Sequence, residues 1–288
     1  MSRSRPTVAG LSNADESSSP FPLTYRQLGQ GVPILCLHGH PGSADCMSVF
    51  TESLAQRFRT IAPDLRGYGR SQTRSPFTMA DHLLDLTALL DHLNLQNCII
   101  LGWSLGGILA LELALHHPDR IRGLILVATA AKPVSNLPRP SVLDLLNTLI
   151  AGSLNRLKPG WAWNIRTFGQ RSLLKDLLSQ HTPEAYRFLD QAGTSATLRT
   201  SRQAQQALNQ ALQQRYNRLD ALANIHCPSL ILSGAQDRHI LPTASYETAQ
   251  YLKNSHYICY PDVAHLFPWE IPTQVNHDIG QWLDSLLL

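Results

Sequence analysis

The sequence predicts an α/β fold in which a mostly parallel central sheet is flanked by helices and carries a helical insertion. Short continuous apolar runs, typical of strands buried on both faces, alternate with helix-like segments along the first part of the chain. Such alternation is typical of a parallel sheet with right-handed crossovers. The runs stop near residue 131 and resume near residue 228, which indicates that a second structural unit interrupts the sheet.

The predicted elements can be placed in chain order. Apolar or alternating runs predict strands at 23–28, 32–37, 59–65, 98–101, 121–128, 228–233 and 256–260. Helical periodicity predicts helices at 43–58, 78–93, 108–116 and 273–287. Ser43 and Thr78 are predicted to cap the first two of these helices, because a side-chain oxygen there can accept from an unpaired backbone N–H.

The chain is predicted to divide into a tail, a core and a cap. Residues 1–20 are rich in Ser and lack the apolar centre of a secretory signal, so we expect a flexible tail. The core comprises 21–130 and 218–288. Residues 131–217 are predicted to form a helical cap, or lid, with helices at 143–150, 173–178 and 203–216.

Composition excludes several classes of protein. A formal net charge of +3 is too small to indicate a nucleic-acid partner. No zinc-like spacing of Cys or His occurs, and we expect neither metal nor cofactor. No apolar segment approaches the roughly 20 residues that a membrane-spanning helix needs. Five scattered cysteines indicate no disulfide framework, which predicts a reducing, cytoplasmic location; Cys36, Cys98 and Cys259 lie in strand-like runs and are predicted to be buried.

The segment around Ser104 carries the strongest chemical signal. Gly102-Trp103-Ser104-Leu105-Gly106 stands between an apolar strand-like run and a helix-like run. A strand that turns directly into a helix holds the residue at the turn in a strained conformation, with its side chain exposed above the sheet. Ser104 is therefore the predicted nucleophile.

A serine nucleophile needs a base and an acid, and two other strand ends supply them. Asp237 follows the strand at 228–233, and His265 follows the strand at 256–260. Ligands of open α/β sheets bind beyond the carboxyl ends of the strands, where these residues should meet. His265 is the predicted base, and Asp237 the acid that orients it. Asp262, the rival acid, lies too close to His265 along the same loop to orient it easily.

The loop after the strand at 32–37 is predicted to complete the site. The backbone N–H groups of His40 and of Leu105, which follows the nucleophile, are the candidates for an oxyanion hole. His38 is expected to order this loop. His38 and Trp103 are the candidates for the wall of the substrate pocket.

These motifs together resemble the α/β-hydrolase fold superfamily, over nearly everything from residue 22 onward. The motifs that carry the resemblance are His38-Gly39-His40-Pro41-Gly42, Asp64-Leu65-Arg66-Gly67-Tyr68-Gly69-Arg70-Ser71, the segment around Ser104, Gly234-Ala235-Gln236-Asp237, and His265 with Glu270-Ile271-Pro272. The resemblance implies a variable cap after the sixth strand of the family. Many relatives have Gly before the catalytic His, where this chain has Ala264. Relatives that open epoxides or displace halide carry Asp as the nucleophile, so Ser104 argues against both reactions.

The predicted function is that of a carboxylesterase-like serine hydrolase acting on a small-molecule or carrier-bound acyl substrate. Carbon–carbon bond hydrolases, lyase-like or cofactor-free relatives, and slow-turnover ligand receptors remain open alternatives, and the oligomeric state is not specified. A basic stretch of the cap is either a solvated helix face or a lip that attracts an anionic substrate; it contains Arg156, Lys158, Arg166, Arg171 and Lys175.

Overall fold

The structure is a computed structural model that describes residues 19–287. One seven-stranded sheet forms the centre of this part of the chain. The predicted tail, 1–20, lies almost wholly outside that part. The strand order is β1-β3-β2-β4-β5-β6-β7; β1 pairs antiparallel with β3, and all other pairs are parallel. The predicted fold class is confirmed. The strands are β1 (Tyr25–Leu28), β2 (Pro33–Leu37), β3 (Arg59–Pro63), β4 (Cys98–Trp103), β5 (Ile121–Val127), β6 (Ser229–Gly234) and β7 (Ser255–Tyr260).

Two apolar layers cover the two faces of the sheet. Because side chains alternate along a strand, Ile99 and Leu101 of β4 join one layer, and Cys98 and Ile100 join the other. All four are fully buried. This explains why β4 reads as a continuous apolar run instead of an alternating one.

Helices before and after the cap pack on these layers. They are α1 (Ser48–Leu54), α2 (Met79–His92) and α3 (Leu105–His116), then α9 (Pro242–Tyr251), α10 (Phe267–Glu270) and α11 (Pro272–Leu287). Thr78 is the N-cap of α2, as predicted, and its backbone N–H donates to Asp81 Oδ2 at 2.7 Å. Helix α9, which begins at Pro242, was not predicted from the sequence.

The region predicted as a helix at 43–58 differs from that prediction. Residues Ala44–Met47 form a 3₁₀ turn, and α1 begins only at Ser48. Ser43 makes no side-chain capping bond. The N–H of Ala44 donates instead to Asp64 Oδ1 at 2.6 Å. The carboxylate that follows β3, and not the Ser43 side chain, therefore accepts a backbone N–H at the start of this turn.

The cap elements lie between β5 and β6. They are α4 (Val142–Leu157), α5 (Ala162–Thr167), α6 (Pro183–Phe188), a π-helical turn at Leu189–Gly193, α7 (Thr194–Leu198) and α8 (Arg202–Gln213). The predicted helix at 173–178 is only a 3₁₀ turn, Leu173–Asp176.

The cysteines follow their strands. All five are free thiols, and Cys36 and Cys98 are buried as predicted. The prediction for Cys259 is wrong: it is exposed, because β7 is the edge strand and is covered incompletely. Within residues 19–287, none of the helices is both long enough and apolar enough to cross a membrane.

Candidate active site

Ser104 stands at a strained turn between β4 and α3. Its backbone has φ 53° and ψ −114°, in a region that a residue with a Cβ rarely occupies. A Cβ on Gly102 would collide with the backbone of Gly106, and one on Gly106 would collide with Leu37. The two glycines therefore permit the close approach of strand and helix that the turn requires.

His265 and Asp237 form a buried pair. His265 Nδ1 lies 2.8 Å from Asp237 Oδ2, and the carboxylate is fully shielded from solvent. Asp237 Oδ1 accepts from the backbone N–H groups of His239 at 2.8 Å and Ile240 at 2.9 Å. Both carboxylate oxygens are thus occupied, which fixes the carboxylate plane and leaves His265 Nε2 as the ring atom available to a reacting group.

The rival acid does not approach His265. Asp262 is exposed, with φ 57°, in the turn after β7. The structure therefore pairs His265 with Asp237, from a different strand end.

Ser104 and His265 line one cavity of about 520 Å³. Within residues 19–287 the Ser104 hydroxyl makes no hydrogen bond of its own. Bonds between a nucleophile and its base commonly tighten only when substrate is bound.

The His40 ring is held from both sides. Its Nδ1 accepts from the Tyr68 hydroxyl at 2.9 Å, and its Nε2–H donates to Gln205 Oε1 on α8 at 2.8 Å. Burial lowers the pKa of His40, which keeps the ring neutral and suits this pattern. The preceding residue, Gly39, packs so closely that a Cβ there would lie 3.2 Å from Ser104 Cβ. This packing brings the loop that contains the His40 N–H next to the serine.

Leu105 is the first residue of α3. The first N–H groups of a helix have no acceptor within the helix, and they carry its positive dipole end. The backbone N–H of Leu105 is therefore suited to receive a developing negative charge.

His38 is not part of the cavity wall, which corrects its prediction as a pocket residue. The side chain is fully buried: Nδ1–H donates to the Gly39 carbonyl at 2.8 Å, and Nε2 accepts from the Leu65 N–H at 3.1 Å. Burial lowers its pKa to about 4, so the ring stays neutral and orders the loop. Trp103, the other pocket candidate, does line the cavity.

Apolar side chains dominate the rest of the cavity. The lining comes from the core and from the cap segments, and a helix of the cap contributes Thr148, Ala151 and Asn155. Apolar wall residues include Leu137, Leu173, Leu177, Leu189, Leu266 and Trp269. A pocket of this size and character suits a small ligand with a substantial apolar part.

His239 is a neighbour of the site that the sequence did not indicate. His239 packs its ring against His265, with centroids 4.5 Å apart, and lines the cavity. Burial, followed by the charge of His265, lowers its pKa to about 4. Neither its spacing nor its neighbours in the sequence indicated this contact.

Glu270 joins the cap to the loop that carries His265. Its Oε1 accepts from the N–H of Ala264 at 2.9 Å, and its Oε2 accepts from the N–H groups of Ser179, at 2.9 Å, and Gln180. The side chain is buried, and burial raises its pKa. Glu270 belongs to the motif that follows His265, but its partners in the cap, about 90 residues away, could not be predicted from the sequence.

Among the described residues, no group of three or more His, Cys, Asp or Glu side chains could hold a metal ion.

Comparison with known proteins identifies the family to which this fold belongs. The model of the alpha/beta hydrolase fold family matches residues 32–272. The chain is 28% identical, over 81% of its length and 85% of the relative's, to the pimeloyl-[acyl-carrier protein] methyl ester esterase of Neisseria meningitidis. It is 33% identical to haloalkane dehalogenase 2 of Mycobacterium tuberculosis, over 42% of its length and 43% of the relative's. A thermophilic esterase from Thermogutta terrifontis superposes with a TM-score of 0.67 at 28% identity, covering 92% of this chain and 93% of that one.

The match to the family model extends over most of the chain, so this protein belongs to the alpha/beta hydrolase fold family. The chain spans only about half the length of several curated relatives it matches, including the dehalogenase.

Proposed function

We propose that this protein is a serine hydrolase that cleaves carboxylic esters through an acyl-enzyme. The observation that carries the proposal is the placement of a serine with φ 53° and a buried His265–Asp237 pair on one apolar cavity. Serine is a weak nucleophile without such a base, and a base is correctly oriented only when a third group fixes its tautomer.

In the proposed reaction, Ser104 Oγ attacks the ester carbonyl carbon while His265 Nε2 takes the hydroxyl proton. Asp237 accepts from Nδ1–H and stabilises the imidazolium that forms. His265 then returns the proton to the leaving alcohol. A water molecule next attacks the acyl carbonyl while His265 takes its proton, and His265 gives that proton to Ser104 Oγ as the acid leaves. The N–H groups of His40 and Leu105 stabilise the oxyanion in both steps; removing one such donor typically costs about 10²- to 10³-fold in kcat.

The cavity supports an acyl group with an apolar chain as the substrate. In this proposal, residues 131–217 act as a lid over a core of 21–130 and 218–288. Lid side chains that line the cavity, such as Leu173 and Leu189, would contact the acyl chain of the substrate. A similar relative acts on a methyl ester of a carrier-bound acyl group. A small-molecule or carrier-bound acyl ester is therefore the proposed substrate class.

Dehalogenation is less well supported, although a dehalogenase is among the similar proteins. Displacement of halide proceeds through a carboxylate nucleophile, and this chain has a serine at that turn. A serine that attacks a carbonyl uses the oxyanion donors described above, whereas halide displacement has no oxyanion to stabilise.

The test is covalent labelling together with turnover. Wild-type protein should react with a fluorophosphonate probe and hydrolyse p-nitrophenyl butyrate. Ser104→Ala should lose labelling and lower kcat by about 10⁴-fold or more. Ser285→Ala, which removes an exposed hydroxyl on α11, is the matched control and should behave as wild type. A wild-type protein that resists the probe, or a Ser104→Ala variant that keeps its activity, would refute the proposal.

A further inference from the structure

Helix α4 buries polar and small side chains and exposes large apolar ones. Its polar and small residues Asp144, Ala151 and Asn155 are buried, and Asn155 Nδ2 donates to the Tyr186 carbonyl at 2.7 Å. Asp144 pairs with Lys175. The side of the helix that faces the protein is thus satisfied by hydrogen bonds and an ion pair instead of by apolar packing.

The opposite side of α4 is apolar and exposed. Val142 is 81% exposed, Leu149 70% and Leu157 82%. Spacings of three, four and seven residues place most of these side chains on one stripe, which a helix of a globular protein normally turns toward the core. A contiguous exposed stripe of this kind marks an interaction surface. We call it the α4 outer face; it comprises Val142, Leu143, Leu145, Leu146, Leu149 and Leu157.

The α4 outer face lies in the most basic part of the chain. Residues 131–175 contain seven Lys or Arg side chains against one acidic side chain, a net charge of +6, whereas the whole chain carries +3. Arg156 and Lys158 flank Leu157 and are exposed, as is Arg166. Lys158 lies over the ring of Trp161, which contacts the half-exposed Trp163.

We propose that the α4 outer face docks this protein on an anionic lipid surface. Leucines on one side of a helix, with Lys and Arg beside them, are the signature of helices that lie in the plane of a membrane interface. Tryptophan side chains are enriched at the same depth. The leucines enter the boundary between headgroups and acyl chains, and the cations lie against lipid phosphates.

Two other occupants fit these observations less well. In a twofold pair of copies the same patch meets itself, which would bring two +6 segments into contact. An acidic protein with a polar surface would pair with the cations but would leave the six apolar side chains in water. A lipid surface uses both features.

Vesicle sedimentation tests this proposal. Wild-type protein should bind vesicles of equal parts phosphatidylglycerol and phosphatidylcholine, and bind pure phosphatidylcholine vesicles more weakly. The double variant Leu146→Ser/Leu149→Ser should partition about tenfold more weakly, since two leucines no longer leave water. Arg156→Gln should weaken binding about fivefold, and 0.5 M salt should weaken it further.

Matched controls separate this proposal from the proposed function. Leu212→Ser on α8 removes a leucine that is 50% exposed, like Leu146, and should bind as wild type. The Ser104→Ala variant should bind vesicles fully, so a failed catalytic proposal leaves this test intact. Hydrolysis of a soluble short-chain ester should be unchanged in Leu146→Ser/Leu149→Ser.

Three results would overturn the inference. Absence of vesicle binding excludes the lipid surface directly. A dimer in analytical ultracentrifugation that the double serine variant abolishes would assign the face to a second copy. Binding to an acidic acyl-carrier protein that depends on Arg156 but not on the leucines, with no preference for anionic vesicles, would assign it to a protein partner.

Discussion

Replacing Glu270 by Gln tests whether the cap and the His265 loop act as one unit. In the native structure one carboxylate accepts three backbone N–H groups, two from the cap and one from Ala264, next to His265. An amide has a single oxygen, and its NH₂ group cannot accept a hydrogen bond. Gln must therefore turn a donor toward either Ala264 or the Ser179–Gln180 pair.

The expected magnitude follows from the bonds that are lost. A buried N–H left without an acceptor costs about 1–3 kcal/mol. At about 2 kcal/mol, the melting temperature of a domain of this size should fall by roughly 4–8 °C. If the amide oxygen stays with the cap, the N–H beside His265 is the orphan. A displacement of about 1 Å at the base lowers kcat by about 10²-fold, with little change in KM for a small ester.

The assay pairs thermal unfolding with steady-state kinetics on p-nitrophenyl butyrate. Glu52→Gln, on an exposed position of α1, is the control for loss of one negative charge. A purely structural role would lower the melting temperature and leave kcat of the folded enzyme unchanged. A Glu270→Gln variant that matches wild type in both measurements would show that the three bonds contribute nothing.

Two further substitutions address the acid and a buried histidine. In Asp237→Asn, the amide oxygen should keep the hydrogen bonds from the N–H groups of His239 and Ile240, so the NH₂ group faces His265 Nδ1. The His265 ring then adopts the wrong tautomer. We expect kcat to fall about 10³- to 10⁴-fold, with little change in melting temperature. Retained activity in this variant would indicate chemistry without a triad. His82 is fully buried with both ring nitrogens unpaired among the described residues, and burial lowers its pKa to about 3. Below pH 6.5 the His82 ring binds a proton in the unfolded state but not in the folded state. The contribution of the neutral ring to stability is therefore complete above pH 6.5 and is lost toward pH 3, by about 1.4 kcal/mol per pH unit. In urea unfolding, the free energy of unfolding of His82→Phe relative to wild type should therefore be about 2–3 kcal/mol higher at pH 4.5 than at pH 7.5. An equal difference at both pH values would contradict this expectation.

The sheet could be predicted because its signals are local. Each buried strand is a short apolar run, and the run that contains Ile99 and Leu101 packs against both layers, as such runs must. The turn at Ser104 was predicted for the same reason: the glycines that permit it are two residues away on each side.

The cap could be predicted only as a helical region. Its segments are short, and a polar inner side on α4 reverses the pattern from which a buried face is normally inferred. The predicted helix at 173–178 proved to be a single turn, and α5, α6 and α7 gave no clear signal. Their positions depend on long-range bonds such as that from Asn155 to Tyr186.

The partners of the site residues were the least predictable part. His38 lies in a motif that follows a strand end, yet its ring turns away from the cavity toward Leu65. The contact of His239 with His265 and the bonds of Glu270 join residues on different elements. Sequence shows which residues follow which strand, but not which of two side chains on one loop enters the cavity.

The hydrogen bond between Gln205 and His40 links the cap to the loop that is proposed to stabilise the oxyanion. Any opening that carries α8 away from the core must first break this bond and leave Nε2–H of His40 without its partner. The His40 ring would then keep only one of its two side-chain partners, the Tyr68 hydroxyl, when the cavity opens. Under the proposed mechanism, closure of the cap would therefore both enclose the ligand and order the oxyanion donor, whereas an open molecule would exchange ligands and attack them poorly.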